Sequence, residues 1–143
     1  MKILIVNDSP ADMTEELLMA TADFKVEVDK ALDGDEALRL YRRKRGRYDL
    51  VLTDIEHPGL NGLNLATAIL KKNPTQALAI MTAAGVAGKI VPLGSFSDEW
   101  MALRTGKTHS LSPELKDVLV LGMPYEFKQL LALIHTSVKM AHR

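Results

Sequence analysis

Acid and amide side chains stand just past two short apolar runs. Asn7-Asp8 follows Ile3-Leu4-Ile5-Val6, and Asp54 follows Leu50-Val51-Leu52-Thr53. If both runs are strands of an open, doubly wound sheet, these side chains converge beyond its carboxyl ends, where such sheets bind ligands. Two carboxylates there form a hard oxygen site suited to Mg²⁺, an ion commonly held by one or two carboxylates together with phosphate and water. Asp54 can also be a nucleophile, because a carboxylate forms an acyl phosphate when a divalent ion neutralises the incoming oxygens. A single acid after a strand can equally cap the next helix. The weight therefore rests on the pair and on its surroundings.

The elements that must position these residues are legible in the apolar pattern. Lys2 to Val6, Asp49 to Thr53, Leu78 to Met81 and Val118 to Leu121 are apolar almost throughout, as expected of parallel strands buried on both faces. Phe24 to Leu32 alternates Phe24, Val26 and Val28 with charged residues, as a half-exposed edge strand does. Helical spacing links Met13, Leu17 and Ala20 after Ser9-Pro10; Ala37, Leu38 and Tyr41; Leu63, Ala66, Ile69 and Leu70; and Phe127, Leu130, Leu131, Ile134 and Val138. The order βαβαβαβ, a long irregular stretch, then βα, predicts right-handed crossovers and a parallel sheet covered on both sides.

A chain of 143 residues, 47% hydrophobic and 25% charged, has the size and composition of one globular domain, predicted here over residues 1–143. Eighteen basic and 18 acidic side chains cancel, so no overall field draws the chain to nucleic acid or to an anionic membrane. The lack of cysteine excludes disulfides, thiolate metal sites and thiol nucleophiles, and a reducing cytoplasm is the expected setting. No apolar run approaches the roughly 20 residues that span a bilayer, so no membrane insertion is expected.

The segment from Tyr48 to Leu63 closely resembles the phosphoacceptor stretch of receiver domains in two-component signalling. It shares the strand ending in Asp54, the proline at Pro58, and Asn61-Gly62 ahead of a helix. The resemblance extends to Val6-Asn7-Asp8-Ser9, Ala31 to Leu38, Met81-Thr82-Ala83 and Leu121 to Tyr125. It implies a flavodoxin-like fold with a five-stranded parallel sheet in the order 2-1-3-4-5. It also implies that Asp54 accepts a phosphoryl group, that Asp8 and Asp54 contact Mg²⁺, and that the main-chain carbonyl of Glu56 completes the metal site. Thr82 would bind a phosphoryl oxygen, and Met123-Pro124 is predicted to be cis, as at the matching family position. The partners implied are a histidine kinase or phosphotransfer protein and a downstream protein target. No output segment is expected after the last helix, so the chain would act as a stand-alone receiver through protein contacts.

The sequence departs from the family pattern at several places. Asn7 stands where a second acid is usual, so its own part in the metal site is weak or water-mediated and Mg²⁺ affinity should be low. Met123 replaces the lysine that pairs with the phosphoryl group, and a lost charge-assisted hydrogen bond costs about 1.5–3 kcal/mol. Val120 replaces the aromatic residue that many relatives use as a rotamer switch. An insertion at about 85–113 lengthens the fourth crossover, where Ser97-Asp98-Glu99 reads as the cap and first turn of a short helix. It would be a lid, a docking surface, or a plain surface elaboration.

Other features point away from chemistry. Arg42-Arg43-Lys44-Arg45-Gly46-Arg47 lies at a helix end, where cations suit the dipole and Gly46 can form the cap, so no nucleic-acid partner is inferred. Gly85 to Lys89 lacks the spacing of a phosphate loop, and the four histidines lack metal-ligand spacing. Three functions compete. They are a phosphorylated receiver, a phosphate-independent pseudo-receiver, and a small Mg²⁺-dependent phosphatase with Asp54 as nucleophile and Glu56 as acid or base. The phosphatase fits worst, because Glu56-His57-Pro58 and Met123 stand where that chemistry uses other groups.

Overall fold

In the computed structural model, residues 1–7, 26–55, 61–105, 111 and 113–141 are described. The expected first helix, after Ser9-Pro10, lies outside them.

Six strands form one sheet: β1 (Lys2–Val6), β2 (Glu27–Ala31), β3 (Leu50–Asp54), β4 (Leu78–Ala87), β5 (Ile90–Pro92) and β6 (Leu119–Gly122). Their order is β2-β1-β3-β4-β6-β5. Five are parallel in the expected arrangement, with β6 taking the place of the fifth strand, and β2 is the predicted edge. The five-strand expectation is corrected at the other edge, where β5 pairs with β6 in antiparallel fashion. That strand comes from the insertion, so the stretch expected to be irregular extends the sheet.

Both faces of the sheet are covered, which is why its inner strands are apolar almost throughout where they pair. Leu4, Val6, Val51, Ile80 and Val120 pack on one side against Ala37 and Tyr41 of α1 (Gly34–Arg43) and against Leu63, Ala66 and Ile69 of α2 (Gly62–Lys72). Leu93 and Met101 from the insertion, and Leu115 just after it, join that core. Ile3, Ile5, Leu52, Ala79, Met81 and Leu121 face the other way, against Leu130, Leu133 and Ile134 of α4 (Phe127–Ala141). Leu133 is buried in α4 where the sequence pattern favoured Leu131.

Local chemistry fixes the helix starts. Asp33 accepts the Glu36 N–H at 2.8 Å while the Glu36 carboxylate accepts the Leu32 N–H at 3.0 Å, a reciprocal cap of the kind worth about 1 kcal/mol. Ser97 accepts the Trp100 N–H at 3.0 Å and starts α3 (Asp98–Thr105), as its sequence predicted. Gly46 takes part in the cap that ends α1, as expected, at φ 68°, and Arg45 just before it is left-handed as well, at φ 56°.

The route from β4 to β5 passes over the end of β6. Thr82 and Ala87 both register with Gly122, so the chain between them arches outward. Gly88 N–H then donates to the Gly122 carbonyl at 2.9 Å and Gly122 N–H donates to the Lys89 carbonyl at 3.1 Å. A Cβ on Gly122 would overlap the Val86 carbonyl, so only glycine permits this crossing.

Candidate functional site

The strand register gathers most of the predicted residues at one end of the sheet. Val6 pairs with Thr53, and the next residues along the two strands are Asn7 and Asp54. Asp54 pairs with Met81, and Thr82 follows on β4. Thr82 pairs with Gly122, and its carbonyl accepts the Met123 N–H at 2.7 Å. Asn7, Asp54 and Met123 thus lie at the carboxyl ends of β1, β3 and β6, level with Thr82 where the regular pairing of β4 with β6 breaks, at the point where the chain order reverses between β1 and β3. Asp8 and Glu56, the other two residues expected in the metal site, lie outside the described residues.

Burial sharpens this picture. Asn7 is 2% exposed and Thr82 4%, while Asp54 is half-buried with its Oδ1 shielded from solvent. The backbone around Asp54 is held tightly. Ile55 N–H donates to the Met81 carbonyl at 3.3 Å, Gly62 N–H donates to the Ile55 carbonyl at 3.0 Å, and the Thr53 hydroxyl donates to the Asp54 carbonyl at 2.9 Å. Gly62 presses on this turn, and a Cβ there would overlap the Asp54 carbonyl and come within 2.9 Å of Ile55 Cα. Asn61 caps α2 by accepting the Asn64 N–H at 2.9 Å. The Asn61-Gly62 pair of the sequence motif therefore has two separate tasks, a helix cap and a close backbone approach behind Asp54.

Met123 is half-buried beside Thr82, and the Met123-Pro124 bond is cis, as the sequence predicted. Val120 is not at the mouth of the site. It is fully buried, paired with Ile80 and Val91, in the same core as Leu93 and Met101 from the insertion and Leu115 just after it. Sequence reasoning missed the crossing at Gly122. The available signal was a glycine ending a buried strand directly before the Met123-Pro124 turn, a position that often marks close backbone approach.

The donors at this end suit a hard cation. Asp54 and Asn7 are oxygen-bearing side chains, and Mg²⁺ needs only one or two carboxylates when water and phosphate complete its shell. Among the described residues, no group of three or more His, Asp or Glu forms a metal cluster, and Asp8 and Glu56 are not among those residues. No helix among them is long and apolar enough to cross a membrane.

Comparison with known proteins agrees with this geometry. The transcriptional regulatory protein YcbL of Bacillus subtilis is 39% identical over 72 residues, which cover 50% of this chain and 31% of that protein. Protein PilH of Pseudomonas aeruginosa is 35% identical over 80 residues, covering 56% of this chain and 64% of PilH. The matches thus span less than two thirds of either relative. A response regulator receiver domain protein from Clostridium thermocellum superposes with a TM-score of 0.70 at 24% identity, over 99% of this chain and 96% of that one, and so shares the fold. The family defined as the response regulator receiver domain matches residues 3–92, which include most of β1, all of β2, β3, β4 and β5, and the Asp54 turn, and the chain belongs to that family of two-component signalling domains.

Proposed function

We propose that Asp54 is the phosphoacceptor of a receiver domain that signals by protein contacts, with Mg²⁺ held weakly at Asp8, Asp54 and the Glu56 carbonyl. In this reading a carboxylate oxygen of Asp54 attacks the phosphorus of a phosphohistidine on a kinase or phosphotransfer protein. The P–O bond forms as the P–N bond breaks, and the departing imidazole takes up a proton. Bound Mg²⁺ would supply charge neutralisation for the phosphoryl oxygens. Asn7 then leaves the metal shell one charge short, and the Thr82 hydroxyl donates to a phosphoryl oxygen. The observation that carries the reading is Asp54 itself, half-buried at the strand-order reversal and one residue diagonally across from Thr82 on β4.

A second reading, a phosphate-independent interaction module, is favoured by one specific feature. Met123 occupies the position of the phosphate-pairing lysine and offers no positive charge. Mass spectrometry after incubation with acetyl phosphate and Mg²⁺ separates the two. A phosphoryl adduct on wild type that is absent from Asp54→Asn supports the acceptor. No adduct on either protein leaves the interaction module.

A further inference from the structure

The end of the sheet opposite Asp54 carries a concentration of cations that phosphoryl transfer does not use. Helix α1 ends in Arg42-Arg43, followed by Lys44, Arg45 and Arg47, and the adjacent α2 ends in Lys71-Lys72. All seven side chains are exposed, and among the described residues none forms an ion pair. The usual explanation is attraction to helix carboxyl ends. Each end supplies about half a negative charge, so two ends together balance about one of the seven.

These cations also surround a concavity. Arg42, Arg45 and Lys72 line a cavity of about 360 Å³ together with Tyr41, Gly46 and Asn73, and no acid lines it. Its floor is fixed by a short chain of hydrogen bonds. The Asn73 amide donates to the Tyr41 hydroxyl at 3.3 Å, and that hydroxyl donates to Gln76 Oε1 at 2.8 Å.

The backbone adds an independent sign. Gly46 N–H donates to the Tyr41 carbonyl at 2.9 Å and Lys44 N–H to the Leu40 carbonyl at 2.9 Å, closing the helix by a left-handed turn. The first left-handed residue of such a turn is usually glycine, which has no Cβ to clash. Here it is Arg45 at φ 56°, with a glycine next in line. A less stable residue stands where it delivers a guanidinium to the cavity, the pattern expected when local strain serves a site.

We propose that this cavity binds a phosphate group of a small phosphorylated molecule, held by Arg42, Arg45 and Lys72. Guanidinium forks match phosphate oxygens in bidentate fashion, and a lined concavity suits a discrete group better than an extended polyanion. The inference is independent of Asp54 and of its metal.

Inorganic pyrophosphate is the probe, titrated by calorimetry in EDTA at physiological ionic strength, so that the Asp54 end cannot contribute through a metal. Wild type should bind saturably. Arg45→Gly should weaken binding by about tenfold or more, as loss of a charge-assisted hydrogen bond does. The same variant should raise the folded-to-unfolded ratio by about two- to tenfold, because glycine relieves the left-handed strain and returns part of that gain as chain entropy. Lys72→Gln should also weaken binding, without the gain in stability. Three results would each overturn the proposal. They are no saturable binding by wild type, equal affinities for wild type and Arg45→Gly, and capture of a short DNA duplex with no binding of pyrophosphate, which would assign the patch to nucleic acid.

Discussion

The crossing at Gly122 can be broken by one methyl group. In Gly122→Ala the new Cβ would overlap the Val86 carbonyl and lie 2.8 Å from Ala87 N, both backbone atoms that cannot rotate away. The chain over β6 must shift as a unit. Two hydrogen bonds flank the overlap, Gly88 N–H to the Gly122 carbonyl and Gly122 N–H to the Lys89 carbonyl, and a shift of the size required lengthens both. Overpacking costs about 1–3 kcal/mol and each lost bond about 0.5–1.5 kcal/mol. The reduced freedom of the unfolded chain returns only about 0.4–1 kcal/mol. A net loss of about 2–4 kcal/mol is expected, seen as a lower urea midpoint and as faster amide exchange at Gly88, Lys89 and Val91. A loss under about 0.5 kcal/mol with unchanged exchange at those amides would mean that the crossing is not held as described, and the reasoning from backbone overlap would fail.

Other perturbations test the site and the core. Asn7→Asp adds a carboxylate beside Asp54, and calorimetry should show Mg²⁺ binding strengthened by about tenfold or more; equal affinities would remove Asn7 from the metal shell. Met123→Lys should enlarge the change in amide exchange over residues 118–130 caused by beryllofluoride, and a wild-type response already as large would show that the missing lysine is immaterial. Alkaline pH should destabilise the fold through Tyr48. Burial, reinforced by its hydrogen bond to Asp29 at 2.7 Å, keeps that phenol protonated far above the ordinary value of 10.0. The unfolded chain loses the proton near that ordinary value while the native state keeps it, so this contribution is full below pH 10.0 and shrinks as pH rises above it. Tyr48→Phe should therefore show a flatter fall in urea midpoint between about pH 9 and about pH 11, and parallel curves would refute the assignment.

The parallel strands β1, β3, β4 and β6 were legible because each is buried on both faces where it pairs, and so carries a short continuous apolar run, while the edge strand β2 showed itself by alternation. Asn7, Asp54 and Thr82 were legible for a related reason: each is a polar side chain at or just past the end of such a run. The short helix α3 announced itself through Ser97 and the acids behind it. By contrast, β5 is three residues long and ends in Pro92, so it has no periodicity to read and exists because β6 offers it a partner edge. The arch from Thr82 to Ala87 is a tertiary event, since its small residues Ala83-Ala84-Gly85 carry no pattern and their path depends on Gly122, some 40 residues later. Gly46 was legible in the cap of α1 because local preference favours glycine there, whereas the left-handed conformation of Arg45 beside it runs against that preference and left no signal.

The insertion and the missing lysine bear on the same question, how far phosphorylation of Asp54 could move the face built from β6 and α4. A phosphate shifts an equilibrium only by its difference in binding energy between two states. Thr82 can offer one hydrogen bond to a charged acceptor, about 1.5–3 kcal/mol, and Met123 offers none. Against this stand the two bonds that fasten the crossing to Gly122 and a third in which the Gln129 amide of α4 donates to the Gly88 carbonyl at 2.7 Å. Together these resist opening by about 1.5–4.5 kcal/mol. Val120 adds resistance of a different kind, because moving it outward would open a gap in a core shared with Leu93 and Met101. The three bonds by themselves are of the same size as the gain from Thr82, and the packing of Val120 tips the balance toward the closed crossing, so phosphorylated Asp54 would leave the β6–α4 face in place. A partner that senses the phosphate would then have to read the loops around Asp54 directly.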